Sequence, residues 1–364
     1  MSGRTRWGRG SAPGDGGAAT GPRGAELAAA LEGIDFSGVV LAVGPDGTLA
    51  EVAQGIADRA TGRPITPASR FGIASASKLF TAVALVRLFE RGIAAPDTHL
   101  GDVLDADLRP RGMDPRVTLE HLLTHTSGIA DYCDEYGDEP YEEVWLRANP
   151  GVMRAPRALL PLFVDLPALA APGEVVRYCN AGFVLAGLAV EALTGGTFYE
   201  AVSASVLRPA GMTASGYPAF DDVIPDVALG YLPPADDDPD GAWRSNLYAL
   251  PARGQPDGGA FATAADLVRF LDAFGDGRLV GPAWRDEMLR PRVHDEREGT
   301  RYGLAWWIHG EGSRRWVGHP GGDPGYVARV RWYPETGLRL VVLANRSDRA
   351  GPAAAITDDL LAPA

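Results

Sequence analysis

Lysine is almost absent from this sequence of 364 residues, in which one lysine stands against 33 arginines. The single lysine is Lys78. An arginine keeps its proton in a protein, whereas a buried lysine can lose it and act as a base. Since a surface position accepts either cation, the one retained lysine points to a chemical role for its amine.

Cysteines and long apolar runs are also scarce. Cys133 and Cys179 have neither the density of a disulfide framework nor the CxxC spacing of a zinc or redox site, so we expect two unpaired thiols. No run of about 18 apolar residues is present, and we expect no membrane span. Residues 1–24 lack the apolar core of a signal peptide, which predicts a flexible tail and a cytoplasmic protein.

The charge balance excludes some partners. Acidic residues number 47 against 34 basic ones, for a net charge of −13 and an isoelectric point near 4.9. A nucleic-acid surface needs the opposite charge, so we expect no nucleic-acid partner. The 46% of hydrophobic residues suffices for a folded globular core. The sequence leaves the oligomeric state open.

Ser75 stands three residues before the lysine in the pattern Ser-x-x-Lys. On a helix the side chains at i and i+3 share a face, so hydroxyl and amine can meet as nucleophile and activator. The pattern also arises by chance in surface helices. Here the apolar residues after Lys78 recur at helical spacing, which predicts a helix with a buried face that begins at this point; they are Leu79, Val83, Val86 and Phe89.

Strand-like runs occur early and late in the chain, with helical patterns between them. This arrangement predicts one antiparallel sheet completed by both chain ends, with residues 25–105 and 255–364 as an α/β sheet domain. Residues 106–254 are predicted to be a mainly helical insertion with long loops. Within it, residues 131–172 fit either an aromatic pocket wall or a solvated loop, and residues 214–258 fit a surface excursion or lid.

Two further pieces carry chemistry. Tyr178-Cys-Asn180 offers a phenol that can share a proton with a lysine and an amide that can orient a substrate carbonyl. Gly318-His-Pro-Gly-Gly322 lies at the end of a strand predicted from Trp316 to His319, where glycine lets the backbone approach a ligand.

In this order and spacing, the chain resembles the serine β-lactamase and penicillin-binding-protein superfamily, in its class C-like branch of esterases, D-stereospecific amidases and peptidases, and acyltransferases. The resemblance covers roughly residues 30 to 350. Three auxiliary phrases also match, namely Leu122-Leu-Thr-His-Thr-Ser-Gly128, Leu207-Arg-Pro-Ala-Gly-Met212 and Gly258-Gly-Ala-Phe-Ala-Thr263. The implied fold is an antiparallel sheet flanked by helices plus a helical domain, of α/β (α+β) class, with the site between them.

The resemblance also implies roles. Ser75 corresponds to the acylated nucleophile, Lys78 to the proton acceptor and Tyr178 to the coupled general base and acid. Asn180 corresponds to an amide that positions the substrate. These roles imply an acyl-enzyme hydrolase or acyltransferase acting on a small ester or amide, without a cofactor.

The strand motif Lys-Thr-Gly of the superfamily corresponds to His319-Pro320-Gly321, and the implied oxyanion hole combines the N–H groups of Ser75 and Gly322. A histidine in the lysine position removes a fixed cation for a substrate carboxylate, so we expect a poor β-lactamase. The usual Tyr-Ser-Asn has become Tyr-Cys-Asn, which we expect to change packing only. A catalytically silent binding relative and a β-lactamase or DD-peptidase proper remain the alternatives.

The spacing of the histidines predicts no metal site. His121 and His125 stand four residues apart, but they lack an intervening glutamate and a third ligand. We expect His125 to pack at a helix end, with a contribution to the site as the alternative.

Overall fold

The structure is a computed structural model that describes residues 17–137, 141–234 and 241–363. Residues 1–16 of the predicted tail lie outside the described residues. The flexible tail was predicted to reach residue 24, but residues 18–20 form an edge strand paired with residues 51–53. The backbone hydrogen bonds of this strand order the chain before the first helix.

The strands in the described residues are short at the periphery and longest in the middle of the main sheet. They are β1 Ala18–Thr20, β2 Gly38–Gly44, β3 Gly47–Gln54, β4 Ile56–Asp58, β5 Arg63–Pro64, β6 Phe71–Gly72, β7 Tyr231–Leu232, β8 Arg244–Ser245, β9 Phe261–Ala262, β10 Val293–Asp295, β11 Thr300–Tyr302, β12 Trp307–His309, β13 Trp316–Asp323, β14 Tyr326–Tyr333 and β15 Leu338–Ala344.

The α-helices are α1 Gly24–Glu32, α2 Lys78–Glu90, α3 Leu100–Val103, α4 Leu119–Leu123, α5 Tyr141–Arg147, α6 Asn180–Thr194, α7 Phe198–Val202, α8 Arg208–Ala210, α9 Ala264–Gly275, α10 Pro282–Leu289 and α11 Ala350–Leu361. A 3-10 turn, Ala74–Ser77, leads directly into α2.

Nine strands form one sheet in the order β1-β3-β2-β15-β14-β13-β12-β11-β10, with every neighbouring pair antiparallel. The two ends of the chain meet in its middle, where Leu41 of β2 lies opposite Val341 of β15. The predicted α/β class, with one antiparallel sheet completed by both chain ends, is confirmed.

Both faces of the sheet are covered by helices. Along β2, Val39 and Leu41 join the large core shared with α2 and α9, whereas Val40 and Ala42 join a second core beneath α1 and α11. Because successive strand residues point to opposite faces, a strand covered on both sides is a continuous apolar run. This explains why β2 has no polar alternation.

The predicted strand from Trp316 to His319 extends to Asp323. Because proline and glycine weaken a strand, the sequence pattern favours an end at His319, before Pro320. The register of β12 with β13 reaches only to Gly318, so Pro320 lies where β13 is paired on one side by β14. Proline is tolerated at such an edge. The sequence missed strands β10 to β12, whose three residues each are too short for a periodic pattern.

Two long helices pack under the site. Every residue of α2 from Lys78 to Val86 is buried, and so is every residue of α6 from Asn180 to Val190. Helix α6 ends at Gly195, which adopts the left-handed conformation (φ 72°) that glycine permits. Among the described residues, no helix alone is long and apolar enough to cross a membrane; one pair bent by 81°, Asn180–Thr194 with Phe198–Ala210, meets the length and composition together.

The two cysteines are buried and free, as the sequence predicted. The division into a sheet domain of residues 25–105 and 255–364 and an insertion of residues 106–254 stays a prediction. Part of the predicted excursion at 214–258, residues 235–240, lies outside the described residues.

Candidate active site

Ser75 lies in the 3-10 turn before α2, rather than in the first turn of the α-helix itself. Ala74 has a positive φ of 47°, a strained conformation for a residue with a Cβ. Its carbonyl accepts hydrogen bonds from Ser77 Oγ at 2.8 Å and from the N–H of Gly259 at 3.1 Å. These bonds hold the turn, and they present Ser75 at its bend.

Lys78 is fully buried, and its amine has three partners. Nζ lies 3.0 Å from Ser75 Oγ, 2.7 Å from Asn180 Oδ1 and 2.5 Å from the carbonyl oxygen of Asp257. The last two atoms can only accept hydrogen bonds. A neutral amine has two N–H donors for these acceptors and one lone pair, so that pair faces the serine hydroxyl. The arrangement suits proton transfer from Ser75 to Lys78.

Two opposing effects act on the pKa of the Lys78 amine. Burial lowers the pKa of its amine because desolvation penalises the charged form. The negative charges of Asp257, Glu135, Asp131 and Asp323 act in the opposite direction and raise the pKa. The net pKa lies below the ordinary lysine value, in the direction that a base needs.

Tyr178 completes this cluster. Its ring centroid lies 4.7 Å from Lys78 Nζ, and the side chain is buried. Burial raises the pKa of the phenol well above its usual value, whereas a hydrogen-bond interaction with Ser75 lowers it. A phenol that stays protonated can donate a proton to a departing group.

His125, in the loop after α4, packs against Tyr178. Its ring stacks on the Tyr178 ring at 4.4 Å, Nδ1 accepts a hydrogen bond from the N–H of Cys179, and its carbonyl accepts one from the N–H of Arg177. With Nδ1 as acceptor, the neutral ring carries its proton on Nε2. The sequence predicted helix-end packing for this residue, and the structure adds direct contact with the candidate acid and base.

Asn180 begins α6 beside the lysine. The carboxylate of Asp131 caps the helix by accepting hydrogen bonds from the N–H groups of Asn180 at 2.6 Å and Ala181 at 3.0 Å. The Asn180 amide then bonds Lys78 through Oδ1 and Glu135 through Nδ2, the latter at 3.4 Å. Cys179 also caps the helix, since its Sγ accepts a hydrogen bond from the N–H of Gly182.

The edge of β13 closes the other side of the site. A Cβ added at Gly321 would lie 2.2 Å from the carbonyl oxygen of Ile73, so glycine lets the strand touch the Ser75 turn. Gly322 faces open space in the pocket. His319 is buried with Nδ1 2.5 Å from the carbonyl oxygen of Pro320. Burial and the charge of Lys78 lower the pKa of His319 to about 3, so the ring is neutral.

Two pockets meet at Ser75. The first, which we call the acidic pocket, is lined by Glu135, Asp257 and Asp323 together with an apolar wall. The second, which we call the tyrosine pocket, is lined by Tyr178, Trp307 and His319 among others. Ser75, Glu135, Tyr141, and Gly322 contribute to both.

Sequence reasoning placed all seven candidate residues in this one region but missed its acids. The residues brought together are Ser75, Lys78, Tyr178, Asn180, His319, Gly321 and Gly322. Asp257, Glu135 and Asp323 were not singled out, although Asp257 directly precedes the matched phrase Gly258–Thr263. For residues 131–172 the sequence left an aromatic pocket wall and a solvated loop open, and Tyr141 of this segment lines both pockets.

The described residues contain no group of three or more His, Cys, Asp or Glu side chains arranged to hold a metal ion. His121 instead completes the N-terminal cap of α4, where its Nδ1 accepts a hydrogen bond from the N–H of Thr118.

Residues 25–362 match the Beta-lactamase family. The chain belongs to this family. A relative named penicillin-binding protein 4, from Amycolatopsis lactamdurans, is 30% identical over 326 residues, which cover 85% of this chain and 80% of the relative. The crystal structure of a penicillin-binding protein from Bacillus halodurans superposes with a TM-score of 0.85 at 38% identity and covers 92% of this chain and 100% of that one. The β-lactamase/transpeptidase fold implied by the sequence is confirmed.

Two relatives in the family carry the names of hydrolases. Esterase EstB from Burkholderia gladioli is 37% identical over 171 residues, which cover 45% of this chain and 43% of the esterase. A D-aminopeptidase from Brucella anthropi is 29% identical over 318 residues, which cover 81% of this chain and about half, 53%, of the peptidase.

Proposed function

We propose that the protein is a serine hydrolase that forms an acyl-enzyme at Ser75 from a small ester or amide. The observation that carries the proposal is the 3.0 Å contact between Ser75 Oγ and the buried amine of Lys78, whose other two partners can only accept hydrogen bonds. Membership of the Beta-lactamase family and relatives named as an esterase and a D-aminopeptidase support it.

Acylation would proceed in two stages. Ser75 Oγ attacks the substrate carbonyl carbon while its proton passes to Lys78 Nζ, and the N–H groups of Ser75 and Gly322 receive the developing oxyanion. The bond to the leaving group then breaks as Tyr178 donates its hydroxyl proton to that group. Lys78 returns a proton to the Tyr178 oxygen, which leaves a neutral amine and an ester on Ser75.

Deacylation would repeat these steps with water as the nucleophile. Tyr178 passes its hydroxyl proton to Lys78 and takes a proton from the water, whose oxygen attacks the ester carbon. Ser75 Oγ then leaves as it receives the proton from Lys78. An alcohol or amine that enters in place of water receives the acyl group by the same route, which makes this site a transacylase. The two outcomes differ only in the nucleophile that reaches the tyrosine pocket.

Mass spectrometry of the intact protein with a p-nitrophenyl ester tests the proposal. The wild type should gain the mass of one acyl group, and peptide mapping should locate it at Ser75. Ser75→Ala should show neither the added mass nor turnover. Ser205→Ala is the matched control, since this serine lies away from the site and donates its hydroxyl to the carbonyl of Ala201. Acylation that persists in Ser75→Ala contradicts the proposal.

A further inference from the structure

The segment that carries Tyr178 is held by hydrogen bonds from other parts of the chain. Residues 175–179 belong to no helix or strand, and α6 begins only at Asn180. Backbone N–H groups in such a segment need acceptors from elsewhere in the fold. These acceptors bear on the chemistry, because the direction of the Tyr178 phenol depends on the backbone that carries it.

Two residues between α4 and α5 supply the acceptors. The carbonyl oxygen of His125 accepts a hydrogen bond from the N–H of Arg177 at 2.8 Å, and His125 Nδ1 accepts one from the N–H of Cys179 at 3.1 Å. The hydroxyl of Tyr136 accepts a hydrogen bond from the N–H of Tyr178 itself at 3.2 Å. Three consecutive N–H groups are therefore held, which fixes the backbone before, at and after Tyr178.

Tyr136 is in turn fixed to the hairpin of β10 and β11. Its hydroxyl donates its proton to Asp295 Oδ2 at 2.5 Å, which leaves a lone pair for the N–H of Tyr178. Burial and this hydrogen bond raise the pKa of the Tyr136 phenol, so the hydroxyl stays a donor. Asp295 is buried, and its Oδ1 accepts the N–H groups of Arg297 and Glu298 in the turn of the hairpin. Two hydrogen bonds thus connect the hairpin to Tyr178.

His125 holds the segment with both its backbone and its side chain. It has a positive φ of 58°, a conformation that costs energy in a residue with a Cβ and persists where the surrounding structure sustains it. Burial and the charge of Lys78 hold the pKa of His125 well below its usual value, so Nδ1 keeps the lone pair that accepts the N–H of Cys179. The same ring stacks on the ring of Tyr178.

We propose that Tyr136 and His125 are positioning residues for Tyr178, because they hold its backbone so that the phenol meets the leaving group at Ser75. This inference rests on the proposed acyl-enzyme and on Tyr178 as the proton donor. It adds the residues through which the fold aims that donor. A displacement of about 1 Å in a reacting group can lower a rate by about a hundredfold, so the loss of one anchor should be measurable.

The dependence of the rate on the leaving group separates positioning from a general loss of structure. An alkyl ester releases a strongly basic alkoxide that needs a proton, whereas p-nitrophenolate leaves readily without one. The test is the ratio of kcat/KM for p-nitrophenyl butyrate to kcat/KM for ethyl butyrate, which share one acyl group. A variant that is only partly folded loses the same factor with both esters, so its ratio stays constant.

Tyr136→Phe should raise this ratio by about tenfold or more, because the N–H of Tyr178 loses its acceptor. In a Tyr178→Phe background the same change should raise the ratio by less than about twofold, since the donor that Tyr136 positions is gone. Tyr231→Phe is the matched control. The Tyr231 hydroxyl also accepts a backbone N–H, that of Arg59 at 2.7 Å, but Tyr231 lines neither pocket, and its variant should keep the wild-type ratio.

Two substitutions of His125 separate its acceptor from its ring. Asparagine offers an amide oxygen in place of Nδ1 and tolerates a positive φ, so His125→Asn should change the ratio by less than about threefold. His125→Phe keeps a ring without an acceptor and should raise the ratio by about tenfold or more. The reverse order of the two variants would overturn the role of the His125 acceptor.

The outcomes separate this inference from the proposed function. If Tyr136→Phe keeps the wild-type ratio, or raises it equally in the Tyr178→Phe background, the positioning role is wrong. If Tyr178→Phe keeps the wild-type ratio while Ser75 still becomes acylated, Tyr178 is not the proton donor and the inference fails, whereas the acyl-enzyme stands. If p-nitrophenyl butyrate does not acylate Ser75, the proposed function fails first. Thermal unfolding of each variant shows whether its ratio belongs to a folded protein.

Discussion

At the scale of single residues, the buried amine of Lys78 is the group on which the proposed chemistry depends. It is held by an amide oxygen, a backbone carbonyl and a serine hydroxyl, all within 3.0 Å. A charged ammonium group can satisfy the same three partners, so these contacts alone do not distinguish a base from a fixed cation. The distinguishing property is the ability to lose a proton, which arginine lacks.

Lys78→Arg should therefore be as damaging as Lys78→Ala, although arginine keeps the positive charge. We expect both variants to lose about a thousandfold or more in kcat/KM toward a p-nitrophenyl ester, as expected for removal of a base that activates a nucleophile. Arg91→Lys, the reverse exchange at the exposed end of α2, is the control and should keep wild-type activity. Substantial activity in Lys78→Arg would show that charge alone is sufficient.

Tyr178→Phe should keep the fold and lower kcat/KM by about a hundredfold or more, because the ring still stacks on His125 while the proton donor is lost. Tyr302→Phe is the matched control. Its ring contacts His125 from another side, and its buried hydroxyl has no hydrogen-bond partner among the described residues. The Tyr302 variant should be fully active, and equal activity of the two variants would remove Tyr178 from the mechanism.

At the scale of elements, the site depends on close contact between β13 and the turn that bears Ser75. Gly321 permits this contact, because its missing side chain leaves room for the carbonyl of Ile73. The turn itself has the strained backbone of Ala74, which hydrogen bonds from neighbouring segments sustain. Strand and turn therefore form one rigid support for the nucleophile.

A pair of substitutions in β13 tests this dependence. Gly321→Ala should lower the free energy of unfolding by about 1–3 kcal/mol, because its Cβ would lie 2.2 Å from the Ile73 oxygen and force the turn away. Gly322→Ala should change that free energy by less than about 0.5 kcal/mol, since a Cβ there meets nothing within 4 Å. Urea unfolding measures both. Equal stability of the two variants would mean that the contact is not tight.

At the scale of the whole molecule, the net charge of −13 repels substrates that carry a carboxylate, and salt screens this long-range repulsion. Within the site, burial and the charge of Lys78 keep the His319 ring neutral by lowering its pKa, so His319 offers no cation to a carboxylate.

The protein should accordingly be a poor β-lactamase. With a chromogenic cephalosporin, which carries a carboxylate, we expect kcat/KM well below that for a short p-nitrophenyl ester. Raising the salt concentration should narrow the difference only slightly, because salt screens the long-range repulsion but does not supply the cation that His319 lacks. Steady-state rates at low and high salt measure both quantities, and a cephalosporin value equal to or above the ester value would contradict the expectation.

Much of the fold and the candidate residues could be predicted from the sequence. Local patterns predicted the early and late strands and the helix after Ser75, since apolar periodicity acts over a few residues. The resemblance carried by three short motifs predicted the fold class and which residues share a site. Strands β10 to β12 escaped because pairing with neighbours, rather than their own sequence, holds them in the sheet.

The sequence by itself determined that one lysine stands three residues after a serine, ahead of an apolar helix, in the order of motifs that the Beta-lactamase family uses. Only the tertiary structure decided that Asp257, Glu135 and Asp323 line a pocket at Ser75 and that Asp257 Oδ1 finds no hydrogen-bond partner in the described part of the chain. These acids come from three segments that lie far apart in the sequence, so no local pattern relates them. They affect the site only because folding buries them together beside Ser75.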